Sequence, residues 1–257
     1  MPLNAPIRDW SDRRVWVIGA STGIGAGLTS LLLSKGARVA LSARDAAKLA
    51  AVANDHPKAL AAPADVTQVE TLERAYRAIV AAWGGVDLVV FMAGNYFPVR
   101  AWELTAEKAK SLLDTNLLGV YYGLSVVLPD MVNRGAGGLA LVSSVAGYRG
   151  LPKSLLYGPS KAALINLADT LYLDCAPKGL SVYVINPGFV RTPLTAQNEF
   201  EMPHLIEVDE AAREIVQGLE AGEFEIHFPK AFSRKLKFLQ WLPDRWYFAL
   251  IRRSTGL

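Results

Sequence analysis

Tyr157 and Lys161 stand four positions apart in Tyr157-Gly158-Pro159-Ser160-Lys161, a spacing that sets two side chains on one face of a helix. A neighbouring ammonium favours phenolate over phenol, so Lys161 is expected to draw the Tyr157 pKa below its ordinary value of about 10. A tyrosine tuned in this way exchanges protons near neutral pH. Pro159 is compatible with the helix because proline is tolerated in a first turn. Taken alone, the pair is equally a solvated helix face, and the remaining residues must decide.

A second cluster binds rather than reacts. Gly19-Ala20-Ser21-Thr22-Gly23-Ile24-Gly25 follows an apolar run at 15–19 that reads as a buried strand and precedes a helical pattern at 28–35. Gly19 permits a tight turn, Gly23 lets a pyrophosphate approach the backbone, and Gly25 lets helix and strand pack closely. An anion then sits at the positive end of the helix. Three glycines alone describe any glycine-rich turn; the flanking periodicity favours the cradle.

The elements that must position these residues alternate. Strands are predicted at 15–19, 38–43, 59–63, 87–91, 139–143, 181–186 and 224–227, with helical segments between most of them. Leu88-Val89-Val90-Phe91 is apolar on both faces, as in a parallel sheet covered on each side. The expected fold is therefore α/β, a doubly wound, Rossmann-like parallel sheet sandwiched by helices. Ligands of such sheets settle at the carboxyl ends of the strands, and Gly19, Ala93, Ser144 and Pro187 all lie just past predicted strand ends.

With these motifs in hand, the chain resembles a short-chain dehydrogenase/reductase over roughly residues 12–228. The glycine pattern is that family's G-x-x-x-G-x-G. Ser144 lies thirteen positions before Tyr157, Asn116 sits in Asp114-Thr115-Asn116-Leu117, and Asn186-Pro187-Gly188-Phe189-Val190-Arg191-Thr192 preserves N-P-G-x-V-x-T. The resemblance implies a nicotinamide-dependent oxidoreductase that interconverts a carbonyl and an alcohol. It makes Tyr157 the acid/base, Ser144 the group that hydrogen-bonds the substrate oxygen, Lys161 the partner of tyrosine and nicotinamide ribose, and Asn116 the holder of a proton-relay water. It implies that Gly19, Ser21, Thr22, Gly23, Ile24, Gly25, Asp65, Val66, Ala93, Gly94, Pro187, Gly188, Val190 and Thr192 touch the cofactor, with Asp65-Val66 at adenine. Ser144 as a turn cap and Asn116 as a ligand of backbone groups at a helix kink are the plainer alternatives. Ser143 carries the same hydroxyl, and spacing alone prefers Ser144. One departure is Phe91-Met92-Ala93-Gly94, where the family has N-N-A-G.

The end of the second strand reads Leu41-Ser42-Ala43-Arg44. An acidic residue there would hold the ribose hydroxyl of NAD, whereas Arg44, with Ser42 as an added donor, suits the 2′-phosphate of NADP. NADP(H) is thus expected over NAD(H), the alternative being a solvated Arg44 beside Asp45. Apolar residues after the N-P-G motif, Phe189, Leu194, Phe200, Met202 and Leu205, together with Tyr96, Phe97, Tyr148, Leu151 and Leu155, either line a pocket for an apolar ketone or aldehyde or pack a lid on the core. The three histidines, His56, His204 and His227, lack ligand spacing, and no metal site is expected. A G-x-S-x-G elbow is absent, which disfavours a serine hydrolase. A non-catalytic NADP-binding scaffold or redox sensor remains the alternative function.

The 257 residues carry 27 basic and 24 acidic side chains and one cysteine, Cys175. One domain over 1–229 is expected, in a reducing cytoplasm, with no secretion signal at the amino terminus. Residues 230–257 hold seven Lys/Arg and one acidic residue, a balance of +6, so the remainder is slightly acidic. This basic, aromatic extension either packs on its own or a neighbouring subunit or seats on an anionic membrane surface. Nucleic acid is not an expected partner. The resemblance further implies a homodimer or homotetramer built on the helices carrying Asn116 and Tyr157.

Overall fold

The computed structural model describes residues 2–198 and 200–256. Seven parallel strands form one sheet in the order β3-β2-β1-β4-β5-β6-β7: β1 (Arg14–Ile18), β2 (Arg38–Ser42), β3 (Ala59–Ala61), β4 (Leu88–Phe91), β5 (Gly137–Val142), β6 (Leu180–Pro187) and β7 (Glu225–Phe228). Each predicted strand is present, displaced at its ends by one or two residues. The strand order reverses between β1 and β4, which opens a crevice at their carboxyl ends.

Alternation along each strand feeds two cores. Val15 and Val17 enter one with Leu28 and Leu32 of α1 (Gly23–Ser34) and Ile215 and Leu219 of α7 (Val208–Ala221). Trp16 and Ile18 enter the other with Leu72 of α3 (Val69–Trp83), Leu124 of α5 (Gly119–Arg134) and Leu164 of α6 (Tyr157–Cys175). Between β2 and β3 lies the short α2 (Ala46–Ala53), and before α5 lies α4 (Ala106–Leu113). A π-helical turn, Asp114–Leu118, joins α4 to α5 and carries Asn116.

The carboxyl-terminal extension folds as two helices, α8 (Lys230–Gln240) and α9 (Asp244–Thr255), packed on the same chain. Phe232 lies against Phe189 (ring centroids 5.4 Å apart) and His204 (6.0 Å). Leu236 and Leu239 face a small cavity shared with Tyr148, Leu151 and Tyr247. Arg149 fixes the turn between the helices, donating to the carbonyls of Leu239 (3.3 Å) and Leu242 (2.6 Å), pairing with Asp244 and stacking on the Tyr247 ring at 3.9 Å.

One side chain completes the sheet. The β6–β7 register begins at Val184 opposite Glu225, so Val182 has no strand partner on that edge. Asn4 stands in for one, donating from Nδ2 to the Val182 carbonyl (2.7 Å) and accepting from the Val182 amide (2.9 Å). Both backbone groups are buried. Asn4→Ala strands them, and urea unfolding is expected to show a loss of about 2 kcal/mol with the slope unchanged.

Candidate active site

The crevice holds a cavity of about 500 Å³. At one end lies the glycine turn, where Gly19 has φ +103° and a Cβ on Gly25 would run into the Gly19 carbonyl oxygen. Ser21, Thr22, Gly23 and Ile24 line the same wall, leaving backbone open to a ligand at the start of α1. Such a cradle fits a pyrophosphate. Thr192 closes over it, since a Cβ on Gly23 would lie 3.1 Å from Thr192 Cγ2. Asp65, Val66, Ala93, Gly94, Pro187, Gly188 and Val190 line the cavity as well.

At the far end the structure brings Ser144, Tyr157 and Lys161 together. Tyr157 opens α6, with Pro159 in the first turn. Ser144 lies close enough to the phenol to favour its ionised form; its Oγ accepts from the Ala146 amide (3.1 Å) and donates to the Pro187 carbonyl (3.4 Å). The neighbouring serine faces elsewhere: Ser143 Oγ donates to the Lys161 carbonyl (2.6 Å). Strand alternation after β5 thus separates two hydroxyls that composition cannot distinguish.

Electrostatics of the pair depart from expectation. Burial pushes the Tyr157 phenol up to about 12, opposed by the nearby Ser144 hydroxyl, rather than Lys161 drawing it down. The ammonium is turned to the Val142 carbonyl (2.8 Å) and stands 5.6 Å from the Tyr157 ring centroid. Desolvation therefore outweighs its attraction for phenolate. The same desolvation lowers Lys161, 4% exposed, to about 8. At neutral pH the pair is a neutral phenol beside a largely protonated amine.

Asn116 lies outside the cavity wall, fully buried. Its Oδ1 accepts from the Asn95 amide (2.6 Å), and Nδ2 donates to the Asn95 carbonyl (2.9 Å) and to Ser160 Oγ (3.3 Å). Its N–H groups are thus spent on holding the 94–96 loop to the first turn of α6. A Cβ on Gly94 would lie 3.6 Å from Lys161 Nζ and 3.7 Å from Asn116 Oδ1, so these two polar atoms flank the bare glycine.

One further expectation needs correction, and the open alternative for the apolar residues is decided in part. Ser42 lines the cavity, but its hydroxyl donates to the Ala62 carbonyl (2.5 Å) and accepts from Trp16 Nε1 (2.8 Å). No proton is left for a phosphate. Tyr148 and Leu151 face the α8–α9 hairpin instead of the main cavity, with Tyr148 donating to Glu225 Oε1 (2.6 Å). Phe189 and Phe200 pack edge to face at 5.7 Å as part of a lid, while Leu194 alone of that loop's named apolar residues lines the cavity. Tyr96 meets Tyr157 edge-on at 5.1 Å and donates to Asn198 Oδ1 (2.9 Å).

Lys48 of α2 lines the cavity with Arg44, and its spacing from Arg44 does not mark it, since Arg44 precedes the helix and Asp45 is its cap. Asp45 caps α2 through the Lys48 amide (3.1 Å) and meets Lys48 Nζ at 3.6 Å, so it is engaged with Lys48 rather than with Arg44. Glu225 was also missed. It accepts from Asn186 Nδ2 (2.9 Å) and Tyr148 and pairs with Lys237, and these contacts hold its carboxyl below the usual range against the opposing effect of burial. Nothing local in the sequence marks it.

The short chain dehydrogenase family profile matches residues 13–202. An uncharacterized oxidoreductase of Myxococcus xanthus (strain DK1622) is 38% identical over 250 residues, covering 95% of this chain and 98% of that one. Another, from Staphylococcus saprophyticus, is 32% identical over 194 residues, covering 74% and 83%. Among solved structures, the 3-ketoacyl-(acyl-carrier-protein) reductase of Brucella melitensis complexed with NADH superposes with TM-score 0.80 at 23% identity, covering 86% of this chain and 98% of that one. A short chain dehydrogenase/reductase of Burkholderia phymatum in complex with NAD gives TM-score 0.80 at 23% identity, covering 88% and 92%. At that identity the two structures speak for the fold.

A buried ammonium with a depressed pKa costs stability. Holding Lys161 at about 8 instead of 10.5 corresponds to a penalty on the order of 3 kcal/mol. Between these values the unfolded chain binds more protons, so stability from this group rises with pH, and the penalty is complete below about 8. Lys161→Met is therefore expected to melt at or above the wild-type temperature at pH 7, with the difference narrowing toward pH 10 in calorimetry.

Proposed function

The chain belongs to the short-chain dehydrogenase/reductase family and is an oxidoreductase, and from that premise we propose that it uses NADP(H) to interconvert a ketone or aldehyde and its alcohol, with Tyr157 as the acid/base. One observation carries the reading: Ser144, Tyr157 and Lys161 converge at one end of a cavity whose other end is a bare-backbone anion cradle. When bound, the nicotinamide supplies or takes up the hydride.

The chain's own residues then have distinct tasks. The turn from Gly19 to Gly25 would hold the pyrophosphate, Asp65 and Val66 would flank adenine, and Lys161 would hold the nicotinamide ribose. Pro187, Gly188, Val190 and Thr192 would cover the opposite side. Arg44, exposed and lining the cavity, supplies a positive charge for a 2′-phosphate; Lys48 beside it shares its charge with Asp45 (3.6 Å), and no acidic side chain stands at position 43. Arg44 and the lack of an acidic residue at position 43 favour NADP(H) in the present chain, although two structural neighbours are described with NADH and NAD.

In reduction, Tyr157 gives its proton to the substrate oxygen, and a phenol kept neutral by burial is in the right state to do so. Ser144 donates to the same oxygen and stabilises its developing charge. Lys161 then stabilises the phenolate and passes it a proton, which restores the Tyr157 phenol and leaves a neutral amine. Its charge is lost as pH rises through about 8, so reduction is expected to decline on that limb. Asn116 holds the 94–96 loop, and its Oδ1 beside Gly94 offers the acceptor for a water that reprotonates Lys161. Tyr96 sets its ring edge-on beside Tyr157, and Leu194 adds an apolar side chain to the cavity lining, which suits an apolar carbonyl. A homodimer or homotetramer in the cytoplasm is the assembly and location in keeping with the family.

NADPH oxidation against a panel of aldehydes and apolar ketones tests the reading. Tyr157→Phe is expected to lower kcat about 10²- to 10⁴-fold with NADPH affinity retained. Tight cofactor binding without turnover on any carbonyl would leave a nucleotide-binding scaffold instead. Arg44→Asp is expected to weaken NADPH about tenfold or more relative to NADH, because it removes a phosphate partner and adds a repulsive charge; an unchanged ratio would refute the NADP assignment.

A further inference from the structure

The α8–α9 hairpin is anchored by one face and leaves its turn bare. Phe238 in the last turn of α8, Trp241 in the connection and Trp246 in the first turn of α9 are all exposed, Trp241 by 85%. Phe248 and Leu250 extend the apolar surface along α9. Three large exposed aromatics within nine residues are unusual on a protein surface, where such groups normally occur singly.

The charge around them has one sign. Lys230 pairs with Glu223 (3.6 Å), Lys237 with Glu225, and the hairpin's one acidic residue, Asp244, with Arg149. Among the described residues, Arg234, Lys235, Arg245, Arg252 and Arg253 have no ion-pair partner and are exposed. Arg245 lies beside the Trp246 ring, 5.7 Å from its centroid. The hairpin thus presents unpaired cations flanking an aromatic tip, while the rest of the chain is slightly acidic.

We propose that the exposed face of the α8–α9 hairpin docks on an anionic lipid bilayer, with Phe238, Trp241 and Trp246 entering the interfacial region and Arg234, Lys235, Arg245, Arg252 and Arg253 meeting lipid phosphates. Tryptophan and phenylalanine gain at the boundary between headgroups and acyl chains, and each nearby cation adds attraction to anionic lipid. Unneutralised positive charge disfavours a second copy of the same face, which would oppose like charges. Nucleic acid would use the cations but leave Phe238 and Leu250 unrewarded. The inference concerns a binding surface and does not depend on the cofactor or reaction assigned above.

Co-sedimentation of the full chain with vesicles of phosphatidylcholine, with and without phosphatidylglycerol, tests it. Binding is expected with phosphatidylglycerol, to be weakened by salt, and to be largely absent with phosphatidylcholine alone. The double variant Trp241→Ala/Trp246→Ala is expected to lower partitioning at least tenfold, and Arg245→Gln/Arg252→Gln/Arg253→Gln about 10²-fold. Both variants should keep the wild-type melting temperature, since none of these side chains is buried. Absence of binding to phosphatidylglycerol vesicles, or binding unchanged in both variants, overturns the proposal. So does loss of self-association, or of RNA binding in a gel shift, as the only consequence of the substitutions.

Discussion

The site depends on desolvation. One helix turn places a half-buried phenol and a buried ammonium side by side, and the chemistry follows from which charge is tolerated there. Burial brings Lys161 down to about 8, with its ammonium turned to the Val142 carbonyl. Tyr157 keeps its proton far longer because burial disfavours the phenolate, which the Ser144 hydroxyl only partly offsets. Simple proximity would have reversed the second conclusion. A charge 5.6 Å from the ring centroid, with its hydrogen bond directed elsewhere, does less than the removal of solvent.

Rigid surroundings hold that geometry. β5 delivers Ser144, α6 delivers Tyr157 and Lys161, and Asn116 in the π-helical turn ties the 94–96 loop to the same helix through Ser160. A second layer lies on the opposite side of Ser144. Tyr148 and Asn186, which flank the serine and the N-P-G turn, meet on Glu225, and Glu225 is held by Lys237 of α8. Arg149 repeats the connection to the end of α8 and to Tyr247. The carboxyl-terminal hairpin is therefore braced against the segment that carries the serine.

Much of this was legible before any coordinates, where chemistry is local. The glycine turn, the tyrosine–lysine pair and the seven apolar strands each announce themselves within a few residues, and their order implies the sheet. The misreadings share one cause, contacts made across the sheet. The Ser42 hydroxyl looks available until Trp16, 26 positions earlier, is placed beside it. Tyr148 looks like a pocket residue until Glu225, 77 positions later, claims its hydroxyl. The direction of the Tyr157 shift was missed because spacing along a helix gives closeness but not burial.

The account stands on burial keeping Tyr157 a neutral phenol through the physiological range while Lys161 remains largely charged. Carbon-13 labelling of tyrosine Cζ, with the Tyr157 signal assigned by its disappearance in Tyr157→Phe, follows that ionisation directly in an NMR titration of the intact protein. The signal is expected to hold its protonated shift past pH 10 and to move only toward about 12. A transition to phenolate near pH 7 to 8 would contradict the account and return control of the site to the lysine charge.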